Sequence, residues 1–160
     1  MMNFALKDAL RAGVYASLLV TVTVAMAAPA APSQVRVEHA WIRWLPANLP
    51  AAGYATIVDN GDGARRLTGV SSPDYGSVML HRSRLAEGDS TMEMVDHIDI
   101  PAHDSVKLAP GGYHLMLSHV KHPVSPGDKV PMTLRFANGA TVQVYFSVLP
   151  ANASGPSVSR

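Results

Sequence analysis

The 160-residue chain contains no cysteine. That absence excludes disulfides and thiolate nucleophiles, and it removes the cysteine ligand that blue copper centres require. It also leaves no lipobox residue, so no lipid anchor of the cysteine-linked kind is expected. Charge is scarce, at 16% of residues, and nearly balanced between 13 basic and 12 acidic side chains. With Lys7, Arg11 and Asp8 set aside as part of an expected leader, eleven of each sign remain. A near-neutral domain offers no basic field for nucleic acid or for an anionic membrane surface. Beyond the leader no stretch has the apolar spacing of an amphipathic helix, and no internal repeat is visible.

The leader itself is well marked. Lys7 and Arg11 precede an apolar run over residues 12–26, and Ala25-Met26-Ala27 has the small-x-small form that signal peptidase cuts. The run is about fifteen residues, shorter than the ~20 that a spanning helix needs. Residues 1–27 are therefore read as a cleaved secretory signal, 28–150 as one domain and 151–160 as a polar, flexible tail. The mature protein is expected to be periplasmic, monomeric and without a membrane anchor. Its length suits a single hydrophobic core.

Short runs of alternating apolar residues predict strands over 35–43, 53–58, 66–70, 77–82, 91–97, 105–108, 114–119, 129–136 and 140–148. Asn60-Gly61-Asp62-Gly63, Pro110-Gly111-Gly112 and Asn138-Gly139 supply turn chemistry between them, since Gly and Asn tolerate positive φ. This is the pattern of an all-β sandwich or barrel. Pro131 predicts an edge position or a later start for its strand. Trp41, Met79 and Met132 are read as core, and Trp44 as a strand-end residue able to shield a site. Asp59 to Gly63 resembles the start of a calcium loop, but the bidentate Glu downstream is missing, so a plain turn is expected.

Two imidazoles and two thioethers stand out: His81, Met92, His114 and Met116. Thioethers suit Cu(I), and imidazole suits copper in either oxidation state. His114 and Met116 are two apart and so project from one face of a strand. Met92 follows His81 at a distance that allows a strand, a turn and the return. Met94 shares a face with Met92, and the residues alone do not choose between them. Methionine is ordinarily core filler, so the four must be weighed as a set. His119 and His122 could form a weak second metal patch.

The stretch from Met79 to Val148 resembles the periplasmic copper chaperone family written PCu(A)C. That family's pattern is a His, ten residues, a Met, twenty-one residues, then His-x-Met, and His81, Met92, His114 and Met116 meet it without gap. The segment Leu108-Ala109-Pro110-Gly111-Gly112-Tyr113-His114-Leu115-Met116-Leu117 is also very like the family's signature. Ala40-Trp41, Gly53-Tyr54, Pro126-Gly127-Asp128 and Leu134-Arg135-Phe136 resemble it less specifically, and the likeness runs from about Val37 to Val148. The resemblance implies a cupredoxin-like Greek-key β-sandwich that holds Cu(I) through those four residues. It further implies delivery toward cytochrome c oxidase assembly, to oxidase subunit II or through another copper assembly factor. Some members carry a His/Met-rich C-terminal extension. Residues 151–160 have neither residue type, so that property does not transfer.

Other classes fit less well. A blue copper carrier lacks its cysteine, and an oxidative His-brace enzyme needs a mature N-terminal histidine where Ala28 is expected. No G-x-S-x-G nucleophile turn is present. The chain is therefore not expected to be an enzyme. A copper scavenging or tolerance protein would use the same site without a dedicated acceptor, and a metal-free adhesive sandwich would not use it at all.

Overall fold

The computed structural model describes residues 34–46, 49–86 and 89–156, and the expected signal segment lies outside them. The described residues form ten strands and no helix. In chain order these are β1 (Val35–Arg43), β2 (Ala51–Asp59), β3 (Arg65–Ser71), β4 (Tyr75–Ala86) and β5 (Asp89–Met94). There follow β6 (Ile98–Ile100), β7 (Asp104–Leu108), β8 (Tyr113–Val120), β9 (Lys129–Phe136) and β10 (Thr141–Leu149). The strand absent from the sequence reading is β6, whose three residues are too short for alternation to register, although Ile98 and Ile100 are buried.

Hydrogen bonds join all ten into one sheet, ordered β5-β4-β8-β2-β1-β10-β9-β3-β6, with β7 also pairing β2. One side of β2 is shared, its first three residues pairing β8 and its last five pairing β7. The sheet passes from one layer to the other at β1 and β10, which run parallel. Its inner face encloses a single core. Ile42, Ala55, Ile57, Leu80, Leu115 and Leu117 come from the first layer. Leu67, Ile100, Val130, Met132, Leu134 and Phe146 come from the second. Each such aliphatic or aromatic side chain contributes about 1.5–3 kcal/mol on leaving water. The result is the cupredoxin-like all-β sandwich that the resemblance implied.

Two local features set which residues face outward. A β-bulge between Glu38 and Trp41, at which His39 takes φ 51°, reverses the alternation of β1. Ala40 and Ile42 then face the core, and Trp41 and Arg43 face the opposite side. Gly53 allows β2 and β8 to approach closely, because a Cβ there would lie 3.1 Å from the Cβ of Leu115.

Pro131 lies in an inner strand, but in a stretch of it that is open on one side. β9 lies between β10 and β3, but β3 pairs only residues 133–136 of it, so the missing N–H of Pro131 opens no gap on that side. The Asp59 segment is a turn, as expected. Asp59 is fully buried, accepts from the N–H of Gly61 at 2.9 Å and pairs with Arg65 at 3.2 Å.

Candidate metal centre

β4, β8 and β5 are neighbours in the sheet, and their outward faces carry the imidazoles and thioethers. Antiparallel register sets His81 of β4 directly opposite His114 of β8 and Met79 opposite Met116. The two imidazole rings meet edge-on with centroids 5.7 Å apart. On the other side of β4, His81 lies opposite Met94 and Ser83 lies opposite Met92. Because side chains alternate, Met79, His81, Met92, Met94, His114 and Met116 all share the outer face.

The turn between β7 and β8 fixes this arrangement. Gly111 occupies φ +81°, a conformation that favours glycine, and the N–H of Gly112 donates to the carbonyl of Ala109 at 3.0 Å. The Gly112 carbonyl then accepts twice. It takes the backbone N–H of Ser83 at 3.0 Å, which ties β4 to the turn, and it lies 3.1 Å from Nδ1 of His114. With the proton on Nδ1, the lone pair of His114 Nε2 is left free to accept or to ligate. His114 is nevertheless buried, only 7% exposed.

The surroundings of His81 favour its neutral form. Burial pushes its pKa below the ordinary 6.5, and the neighbouring His114 pushes in the same direction. Its Nδ1 is buried and has no hydrogen-bond partner among the described residues. A buried ring nitrogen without a partner is costly unless something binds it.

The methionines differ sharply in exposure. Met132 is core at 1% exposed, as read from the sequence, whereas Met92 and Met94 are 64% and 65% exposed. Met94 is thus not packed in the core, and Met79, expected there, faces outward opposite Met116 because Val78 and Leu80 take the inner positions of β4. Among the described residues no three His, Cys, Asp or Glu side chains gather. The side-chain donors that stand beside the two imidazoles on this face are thioethers. His119 and His122 are both exposed, and His122 lies 3.2 Å from Asp74 rather than in a three-residue cluster.

Beside His114 stands a wall absent from the sequence reading. Tyr54 lies 6.5 Å from the His114 ring and 4.7 Å from Trp41, and the Arg43 guanidinium covers both aromatic rings at 5.4 and 5.5 Å. Trp41 is buried, but in this outer cluster and not in the central core. Alternation counted back from Ile42 instead of forward from Val35 would have placed it there. Trp44 lies elsewhere, lining a hollow with Leu49, Tyr75, Val120 and Val124 near the far end of β8.

Fold and face together define a small cupredoxin-like sandwich with a cysteine-free imidazole–thioether cluster on its outer sheet. The chain belongs to the LpqE-like family, described as "Putative lipoprotein LpqE-like", whose sequence model matches residues 35–148. It is 35% identical over 115 residues to "Putative lipoprotein Lxx21020" of Leifsonia xyli, a match covering 71% of this chain and 69% of that protein. Among solved structures it resembles the copper-bound PCuAC domain from PmoF2. That likeness has a TM-score of 0.63 and 30% identity, and covers 75% of this chain and 96% of the other. The Cu(I) form of DR1885 from Deinococcus radiodurans is similar at TM-score 0.61 and 29% identity, covering 78% of this chain and 82% of that one.

Proposed function

We propose that this chain is a periplasmic copper chaperone that holds Cu(I) through His81, Met92, His114 and Met116 and passes it toward cytochrome c oxidase assembly. The observation that carries the reading is the His81–His114 pair, set side by side within a field of outward thioethers. Resemblance to PCuAC domains whose solved forms hold copper supports the choice of metal. The family spacing supports Met92 as the thioether from β5.

The chemistry is binding and release. Two neutral imidazoles and two neutral thioethers leave the ion its single positive charge, so no anionic ligand has to be separated from it on transfer. Thioethers are soft, favour the cuprous state and exchange one at a time. An outer sheet face with a methionine 64% exposed lets an acceptor's ligands approach before the last donor leaves. The expected leader, Lys7, Arg11 and the apolar run after them, supports a periplasmic location.

The test is transfer. Copper-loaded protein is mixed with the apo copper domain of oxidase subunit II, the two are separated, and metal in each is measured. Movement of copper to the oxidase domain is the expected result. Retention by the loaded protein would point to scavenging, and failure to load would remove copper from the account.

A further inference from the structure

Met94 stands outside the four-residue set, yet it is the residue of β5 that register places directly opposite His81. Directly opposed residues have Cβ atoms about 4.5–5.5 Å apart, whereas diagonal ones are about 7–8 Å apart. Met92, opposite Ser83, is in the diagonal position relative to His81. Met94 is therefore the nearer of the two to His81. The backbone around it is pinned, since the N–H of Val95 donates to the Leu80 carbonyl at 2.9 Å and Arg84 pairs with Glu93 at 2.9 Å. Among the described residues β5 is an edge strand with no strand beyond it. The unbranched thioether of Met94 has three side-chain torsions through which to move.

A large apolar side chain 65% exposed beside a second at 64% gains nothing from burial. We propose that Met94 is the exit donor of the site. It binds the ion transiently on the solvent side of His81 and presents it to the incoming ligand. The step is a ligand exchange: a copper–sulfur bond to Met94 forms as the bond to Met92 breaks. The ion stays Cu(I), no electron or proton moves, and both thioethers remain neutral. Met94 then yields to the acceptor's donor. This role rests on the cuprous reading of the cluster given above.

The experiment compares the wild-type chain with Met94→Leu, Met92→Leu and His81→Ala, each exposed to Cu(I) under anaerobic reducing conditions. Leucine keeps the size of the side chain and removes only the sulfur. Competition with bicinchoninate at equilibrium gives affinity, and stopped-flow mixing with the same chelator gives the rate of metal loss. Met94→Leu should keep its affinity within about threefold while loss and uptake both slow about tenfold, the signature of a group used in passage and not at rest. Met92→Leu should lose affinity. Unchanged rates in Met94→Leu would overturn the exit role, and so would an affinity loss matching that of Met92→Leu. If wild type takes up no Cu(I), or His81→Ala binds as tightly as wild type, the copper site itself is wrong and the exit role falls with it.

Discussion

His81 and His114 face each other across the β4–β8 ladder with ring centroids 5.7 Å apart, and the Gly112 carbonyl is bonded both to the His114 ring and to the backbone two residues beyond His81. The pair is therefore positioned by backbone hydrogen bonds before any ion arrives. A pair of imidazoles held in place in this way loses little freedom on binding, which is the general route to affinity without a large interface.

The depressed pKa of His81 gives a pH prediction. Its folded value lies below the ordinary 6.5, so in the window beneath 6.5 the unfolded chain binds more protons than the folded one. Stability from this group is present above 6.5 and declines as pH falls below it. An NMR titration of the apo protein should place the His81 midpoint under 6.5, and the acid-side loss of stability should be smaller in His81→Gln. A midpoint above 6.5 would contradict the downward shift expected from burial and from the neighbouring His114.

Copper should stabilise the fold. A ligand bound only by the native state adds about 4 kcal/mol at a thousandfold excess over Kd. Cu(I) should therefore raise the Tm clearly under reducing conditions, Mg²⁺ should not, and Zn²⁺ should compete poorly because it prefers thiolate, nitrogen or oxygen donors. Equal affinity for zinc would mean that the methionines are not ligands.

Met116→Ala and Met92→Ala should each weaken Cu(I) binding by at least tenfold or so, since even supporting residues of metal sites typically cost about 10–100-fold. Met116 lies on the outer face, so its loss should leave folding nearly unchanged. Met132→Ala should do the reverse, costing about 2–5 kcal/mol of stability with binding intact. Chelator competition and urea denaturation of the three variants separate the two effects.

Asp59 makes a separate prediction about the fold. It is wholly buried and pairs with Arg65, itself 19% exposed and also bonded to Gln34 at 2.7 Å. Removing one partner of a buried pair costs about 3–5 kcal/mol, and the second bond of Arg65 places Asp59→Ala at the lower end of that range. Urea denaturation should show the loss, and added Ca²⁺ should leave wild-type stability unchanged. Stabilisation by Ca²⁺ would restore the calcium-loop reading.

Much of this molecule is legible in one dimension. The bounds read for residues 35–43 and 129–136 match β1 and β9 to the residue, and β9 keeps its alternation throughout, because half-buried strands carry their period locally. The spacing of His81, Met92, His114 and Met116 is likewise a property of the chain, as is the absence of cysteine that confines a soft metal to thioethers. Tertiary structure decided what alternation cannot. A bulge at His39 moved Trp41 from the core to the outer face beside Tyr54, since one inserted residue reverses every later side chain. The pairing offset of β4 with β5 put Met94, and not Met92, opposite His81. Period fixes which residues share a face along one strand. Which residues meet across strands depends on where the hairpin turns and how its neighbours pack, and those are contacts between distant parts of the chain.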